Sequence, residues 1–167
     1  MANIVGTILS EKLGGTGVAD VIHGDLGNDT INGGAGNDAV FGDDGADRLS
    51  GGLGNDTVDG GTGNDVLFGD AGDDRIIGGA GNDKMTGGDG ADIFVFNRAE
   101  GMDRIVDYQQ GIDHLEFHGV SGREITWTAV TGGVTVSYGG LAGQAVDHGE
   151  IFIAGVTSLG FSDFIFS

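Results

Sequence analysis

Between Gly24 and Val95 an apolar residue returns every nine positions: Ile31, Val40, Leu49, Val58, Leu67, Ile76, Met85 and Phe94. The frame around it repeats as well. Eight consecutive nonads, from GDLGNDTIN to GGDGADIFV, open on glycine: Gly24, Gly33, Gly42, Gly51, Gly60, Gly69, Gly78 and Gly87. Each also has glycine fourth and aspartate sixth: Asp29, Asp38, Asp47, Asp56, Asp65, Asp74, Asp83 and Asp92. A short fixed period with no block out of phase predicts a stacked solenoid rather than a globule.

Each nonad divides in two. Places one to six hold turn-forming residues, because glycine permits positive φ and Asn or Asp tolerates the left-handed region. Places seven to nine predict a short strand, with the eighth residue inward and its neighbours outward. Three strand residues cannot stand alone. Two nonads per coil, strand–turn–strand–turn, predict two parallel sheets around the apolar column, with coils about 4.8 Å apart. Blocks two apart then lie above one another.

The array frays at both ends. Residues 6–23 read as worn copies: Gly15–His23 keeps its first glycine, Asp20 and Ile22, while Gly6–Gly14 keeps only Gly6 and Leu13. Degenerate end repeats are expected where one face lacks a neighbour, so 6–23 is predicted to cap a roll spanning 6–95. Residues 96–167 lose the nonad. Their strand-like runs are Arg104–Tyr108, His114–Phe117, Ile125–Val130, Val134–Tyr138, Glu150–Val156 and Phe164–Phe166. Gly132-Gly133 marks a hairpin turn. This region is predicted to be a β-rich cap closing the C-terminal end.

Charge narrows the partners. A formal charge of −19 and no cysteine exclude disulfides and thiolate metal sites, and make nucleic acid and anionic membranes poor partners. Met1–Ser10 lacks a basic region and a long apolar run, so a conventional N-terminal signal peptide is not expected. No run approaches the ~18 apolar residues that a membrane span needs. Within Gly24–Val95 fifteen aspartates face three basic residues, a net of −12.

Those aspartates point to a cation. The predicted stacking places them in two files, Asp29, Asp47, Asp65, Asp83 along one edge and Asp38, Asp56, Asp74, Asp92 along the other. Carboxylates roughly 5 Å apart repel by about 3 kcal/mol at an effective dielectric of 20. Calcium takes 6–8 oxygens from carboxylates and carbonyls, and stacked turns supply both. Six gaps between members of the two files would take about six ions, whose charge matches the −12.

The blocks match GGxGxDxUx, and the chain resembles the RTX, or hemolysin-type, calcium-binding repeats of secreted serralysin-like proteases, lipases, toxins and alginate epimerases. The segment DIFVF…GMDRIVDYQQGIDHLEF is similar to the flank that follows the repeats in such enzymes. The resemblance implies an all-β, right-handed parallel β-roll, a two-sheet solenoid of two nonads per coil. It implies calcium held between turns on one edge, by sixth-place aspartates and by carbonyls of the first four places. Asp29 and Asp47 would share one ion with carbonyls such as that of Gly24. Asp38 and Asp56 would share another on the opposite edge. Gly33, Gly42, Gly51, Gly60 and Gly69 occupy the equivalent carbonyl place, and Asp20 offers a further site opposite Asp38. Asp103, Asp107 and Asp113 are candidates for one more ion beyond the array. Asp25, Asp43 and Asp70 depart from the pattern by replacing the second glycine.

The resemblance also implies export. SDFIFS (Ser162–Ser167) is similar to the C-terminal signal of type I secretion substrates, and reads equally as a last strand. A non-enzymatic, secreted, calcium-dependent module is therefore expected, with the type I secretion apparatus as partner. The alternatives are a module of a larger secreted enzyme with an upstream catalytic domain, or a binder of extracellular polysaccharide through outward Phe41, Phe68, Trp127 and Tyr138. HExxH and GxSxG are absent from the sequence. His114, Glu116 and His118 alternate on a predicted strand, and read as a polar strand face rather than a metal site.

Overall fold

The computed structural model describes residues 1–97, 100–119, 125–139 and 148–166. Two sheets run the length of the chain. The first holds, in spatial order, Asn3–Val5, Val21–His23, Ala39–Phe41, Thr57–Asp59, Arg75–Ile77, Ile93–Phe96, His114–Phe117 and Phe164–Phe166, all parallel. In the second, Lys12–Gly14, Thr30–Ala35, Arg48–Leu53, Val66–Ala71, Lys84–Asp89 and Met102–Ile105 stack in parallel. Through the repeats every rung pairs residues eighteen apart, as Val40 with Val58 and Leu49 with Leu67. The fold is a parallel β-roll.

The apolar column is the reason. Ile22, Val40, Leu49, Val58, Leu67, Ile76, Met85 and Phe94 are fully buried between the sheets, and Ile31 almost so. Burying one such side chain is worth about 1.5–3 kcal/mol, which one three-residue strand could not otherwise gather. At the N-terminal end Ile4 and Leu13 pack on the column but stay half-buried, since no coil covers them.

One expectation needs correction. In the second sheet the strands from Thr30–Ala35 to Lys84–Asp89 are six residues long, because places two and three of the following nonad also pair: Gly34 with Gly52, Asp70 and Gly88 in turn. Half of the turns are thus partly extended. The second-place residues all hold positive φ, including Asp25, Asp43 and Asp70 at 72°, 66° and 78°. Aspartate is among the few residues that tolerate this region, so the substitution keeps the backbone unchanged.

At the C-terminal end the second sheet turns antiparallel. Thr126–Val130 and Gly133–Gly139 form a hairpin around Gly132, and His148–Ala154 joins that hairpin to Met102–Ile105. Phe96, Phe117 and Tyr138 fill the space beneath, with ring centroids 5.1–5.8 Å apart. The strand expected over Arg104–Tyr108 instead spans Met102–Ile105. Asp107 ends it by accepting hydrogen bonds from the amides of Gly87 and Gly88, both at 2.9 Å. Among the described residues no helix is long and apolar enough to cross a membrane.

Candidate functional site

The sixth-place aspartates lie on the two edges where strand gives way to turn, and all are buried. Each is fixed by its neighbour one coil away. Oδ1 of Asp47 accepts from the amide of Asp29 at 2.7 Å, Oδ1 of Asp65 from Asp47 at 2.7 Å, and Oδ1 of Asp83 from Asp65 at 2.8 Å. On the opposite edge Asp38, Asp56, Asp74 and Asp92 accept from Asp20, Asp38, Asp56 and Asp74 at 2.7–3.0 Å. The predicted files therefore exist, and linear neighbours such as Asp38 and Asp47 belong to different ones.

The second oxygen is different. Oδ2 of Asp29, Asp38, Asp47, Asp56, Asp65, Asp74, Asp83 and Asp92 is buried with no hydrogen-bond partner. A buried carboxylate oxygen left this way costs several kcal/mol unless a proton or a cation answers it. Each Oδ2 faces the first glycine of its own nonad. A Cβ on Gly24 would stand 2.7 Å from Oδ2 of Asp29 and 2.6 Å from the carbonyl oxygen of Gly42. Glycine at this place keeps open a cradle lined by a carboxylate oxygen and a carbonyl of the next coil. Among the described residues no three His, Asp or Glu side chains converge as a metal-binding group. A cation on these edges must therefore take backbone carbonyls as well as carboxylates, which suits a hard ion such as calcium.

The electrostatics agree. Burial, reinforced by neighbouring carboxylates, raises the carboxyls of Asp47, Asp56, Asp65, Asp83 and Asp92 to about 6 and that of Asp74 to about 7. The amide hydrogen bond to each Oδ1 offsets this only in part.

Both files run beyond the array. Asp103 accepts from the amide of Asp83 at 3.0 Å and Asp113 from that of Asp92 at 3.1 Å, at offsets of 20 and 21 residues. Burial pushes Asp103 up to about 8. Asp107 joins neither file. The ends also differ chemically. Oδ2 of Asp20 accepts from the amide and hydroxyl of Thr16 at 2.7 and 2.6 Å, and Oδ2 of Asp113 accepts from the amide of Gln109 at 2.7 Å. At these two positions the protein supplies its own donors.

The remaining candidates resolve into structure. Glu116 pairs with Arg75 at 2.5 Å and with His118 at 2.7 Å, making a polar strand face. Tyr138 is buried among Phe96 and Phe117 rather than outward, a correction forced by the hairpin folding over the roll. Trp127 packs on Phe164, Phe41 stacks on His23, and Arg48 covers the ring of Phe68. None of the four aromatics is a bare platform for a sugar.

Buried carboxylates in register on the edges of a parallel β-roll define a calcium-binding repeat module. The family model for the RTX calcium-binding nonapeptide repeat matches residues 14–49, 41–76 and 68–98. The chain belongs to that family. No curated protein matches it in sequence. Among solved structures it is similar to the extracellular lipase LipA of Serratia marcescens, at 15% identity and a TM-score of 0.45 over 99% of this chain. It is also similar to the AlgE6R2 and AlgE6R3 subunits of the Azotobacter vinelandii mannuronan C5-epimerase. Those matches have 23% and 22% identity, TM-scores of 0.42 and 0.38, and cover 98% and 96% of this chain. The chain spans 40% of the lipase, 91% of AlgE6R2 and 80% of AlgE6R3.

Proposed function

We propose that this chain is a calcium-driven folding module of a secreted protein. Its ligands would be Oδ2 of Asp29, Asp47, Asp65 and Asp83 on one edge and of Asp38, Asp56, Asp74 and Asp92 on the other. Carbonyls of the first-place residues, Gly24, Gly33, Gly42, Gly51, Gly60 and Gly69, would complete the sites. About six ions or more would bind. Asp20 is the weakest of the set, since Thr16 already holds its Oδ2. The eight unpartnered buried oxygens carry this reading. A divalent cation answers them and removes the repulsion along each file.

The site does not exist in the unfolded chain, so binding free energy becomes folding free energy. In a low-calcium cytosol the acidic chain would stay expanded and fit for translocation. Outside, calcium at the ~10⁻⁴–10⁻³ M affinities of extracellular modules would fold it. In this reading 6–95 is the roll, 96–167 its cap, and Ser162–Ser167 a type I export signal. Phe164–Phe166 also pairs with His114–Phe117, so strand and signal overlap, while Ser167 lies outside the described residues. Far-UV circular dichroism tests the mechanism: calcium should create a β spectrum and excess chelator abolish it. A β spectrum that persists after verified metal removal defeats the proposal.

A second reading places the roll beside a catalytic domain of a secreted protease, lipase or alginate epimerase. It is favoured by the apolar surface of the N-terminal coils, where Val5, Ile8, Leu9 and Val18 are all more than half exposed. The coding sequence upstream of Met1 decides between the two.

A further inference from the structure

One dipeptide of this chain is chemically unlike the rest. Asn32-Gly33 is its only Asn-Gly pair, and every other asparagine precedes Asp, Ile or Arg. Glycine has no Cβ to shield its amide nitrogen or to restrict its backbone. In a loose chain that nitrogen can therefore reach the side-chain carbonyl carbon of the asparagine before it.

The roll holds the two groups apart. Asn32 lies inside the strand Thr30–Ala35, on rungs with Gly14 and Ser50, and its carbonyl oxygen accepts from the amide of Gly15 at 2.8 Å. Gly33 is buried, and a Cβ there would stand 2.4 Å from the carbonyl oxygen of Gly51, so its peptide has no room to rotate. The Asn32 side chain is exposed but directed. Its Nδ2 donates to Oγ of Ser50 at 3.1 Å, and that hydroxyl donates to Oδ2 of Asp70. The relay runs one way only. Ser50 has a single proton and Asp70 takes it, so position 32 must bring a donor, and a carboxylate there would meet only acceptors.

We propose that Asn32 is a modification site, closed in the folded roll and open in the unfolded chain, at which the side-chain amide is hydrolysed. The Gly33 nitrogen gives up its proton to solvent and bonds to Cγ of Asn32, whose own nitrogen leaves as ammonia. Water then opens the cyclic imide at either carbonyl. One product carries aspartate at position 32. In the other, an isoaspartyl link, the backbone gains a methylene. Both lose the donor to Ser50. The isoaspartyl link also moves Gly33 off its rung, and with it the cradle that Gly33 keeps open beside Oδ2 of Asp38 and the carbonyl of Gly51. A chain left unfolded thus loses part of its ability to fold, and the site limits the life of the metal-free form. The proposal rests on the calcium reading only for the switch between the two forms.

The test incubates the chain in mildly alkaline buffer with calcium, with chelator and with urea, and follows Asn32 by peptide mass and isoaspartate content. Hydrolysis should proceed in chelator and in urea. It should be about tenfold slower or more in the calcium-folded chain, because the reaction tracks the population of opened strand. The modified chain should need more calcium than the fresh chain to reach its β spectrum. N32Q keeps a donor but closes the larger ring slowly, so after the same incubation it should fold like fresh wild type. Equal rates at Asn32 in calcium and in urea overturn the proposal. So does faster loss at an Asn-Asp pair, an unchanged calcium demand in the modified chain, or equal damage to N32Q. If the β spectrum survives chelator, the calcium reading fails, and the comparison with urea still decides the site.

Discussion

Two kinds of stacked aspartate occur in this molecule. At the two ends of one file, Asp20 and Asp113 have both carboxylate oxygens engaged: Oδ1 by an amide of the preceding coil, Ala2 or Asp92, and Oδ2 by a local donor, Thr16 or Gln109. In the middle, from Asp29 to Asp92, the coil-to-coil bond is the same but Oδ2 faces a glycine and no donor. The end aspartates are ordinary turn caps. Those in the middle are caps with one oxygen withheld. The geometry that stacks the coils therefore does not require a cation. The missing second donor calls for a proton or a cation.

Removing calcium should break the contrast most completely. Chelation should abolish the β spectrum of the roll, because the buried carboxylates of each file then face one another with nothing to answer them. Circular dichroism with metal analysis checks it.

Next in size is pH, measured without metal. The carboxyls of Asp47, Asp56, Asp65, Asp74, Asp83 and Asp92 bind protons more tightly folded than unfolded, at about 6 to 7 against an ordinary value of 3.8. Their contribution is fully present below about pH 4 and is lost as pH rises through 6 to 7. The metal-free chain should therefore be most stable in mild acid, as denaturant melts across pH 4–8 would show. A metal-free stability that rises across that range would contradict this. Calcium should reverse the slope, since protons then compete with the ion for Oδ2.

A single substitution sharpens the pairing. Asp65→Ala removes the acceptor for the amide of Asp47, at about 1.5–3 kcal/mol, and a ligand from each neighbouring gap. Calorimetric titration should find about two fewer ions, on the edge shared by Asp47 and Asp83. Loss tied to Asp56 and Asp74 instead would rule out the two-file roll.

Smaller still is Gly60→Ala, whose Cβ meets Oδ2 of Asp65 and the carbonyl of Gly78. It should cost about 1–3 kcal/mol by crowding and raise the calcium midpoint. Thr16→Val should be the mildest, about 1 kcal/mol in thermal melts. Its cost should be the same at any saturating calcium level, because Asp20 already has its donors.

Much of this was legible from residue order. A strict period fixes which residues share a rung, so the column from Ile31 to Phe94 and the separation of Asp29 from Asp38 follow by counting. Counting fails where turn lengths change. Asp103 and Asp113 continue the files at offsets of 20 and 21, so the periodic rule misses them, and only the family resemblance marks them as candidates. The shortened strand at Met102–Ile105 depends on Asp107 reaching the amides of Gly87 and Gly88, a contact between segments with no local signal. Tyr138 shares the alternating face of Val134 and Val136, and all three are buried beneath the hairpin, so period-two alternation already held the signal that it points inward.

The sequence alone determined the coil, the column and the two files, because an eighteen-residue repeat admits one stacking that buries every eighth place. Only the tertiary structure decided which oxygen of each carboxylate was already taken. It also decided that Asn32, Ser50 and Asp70 form a directed relay. Both depend on what the neighbouring coil presents across a rung, and that is set by register between segments rather than by order along one.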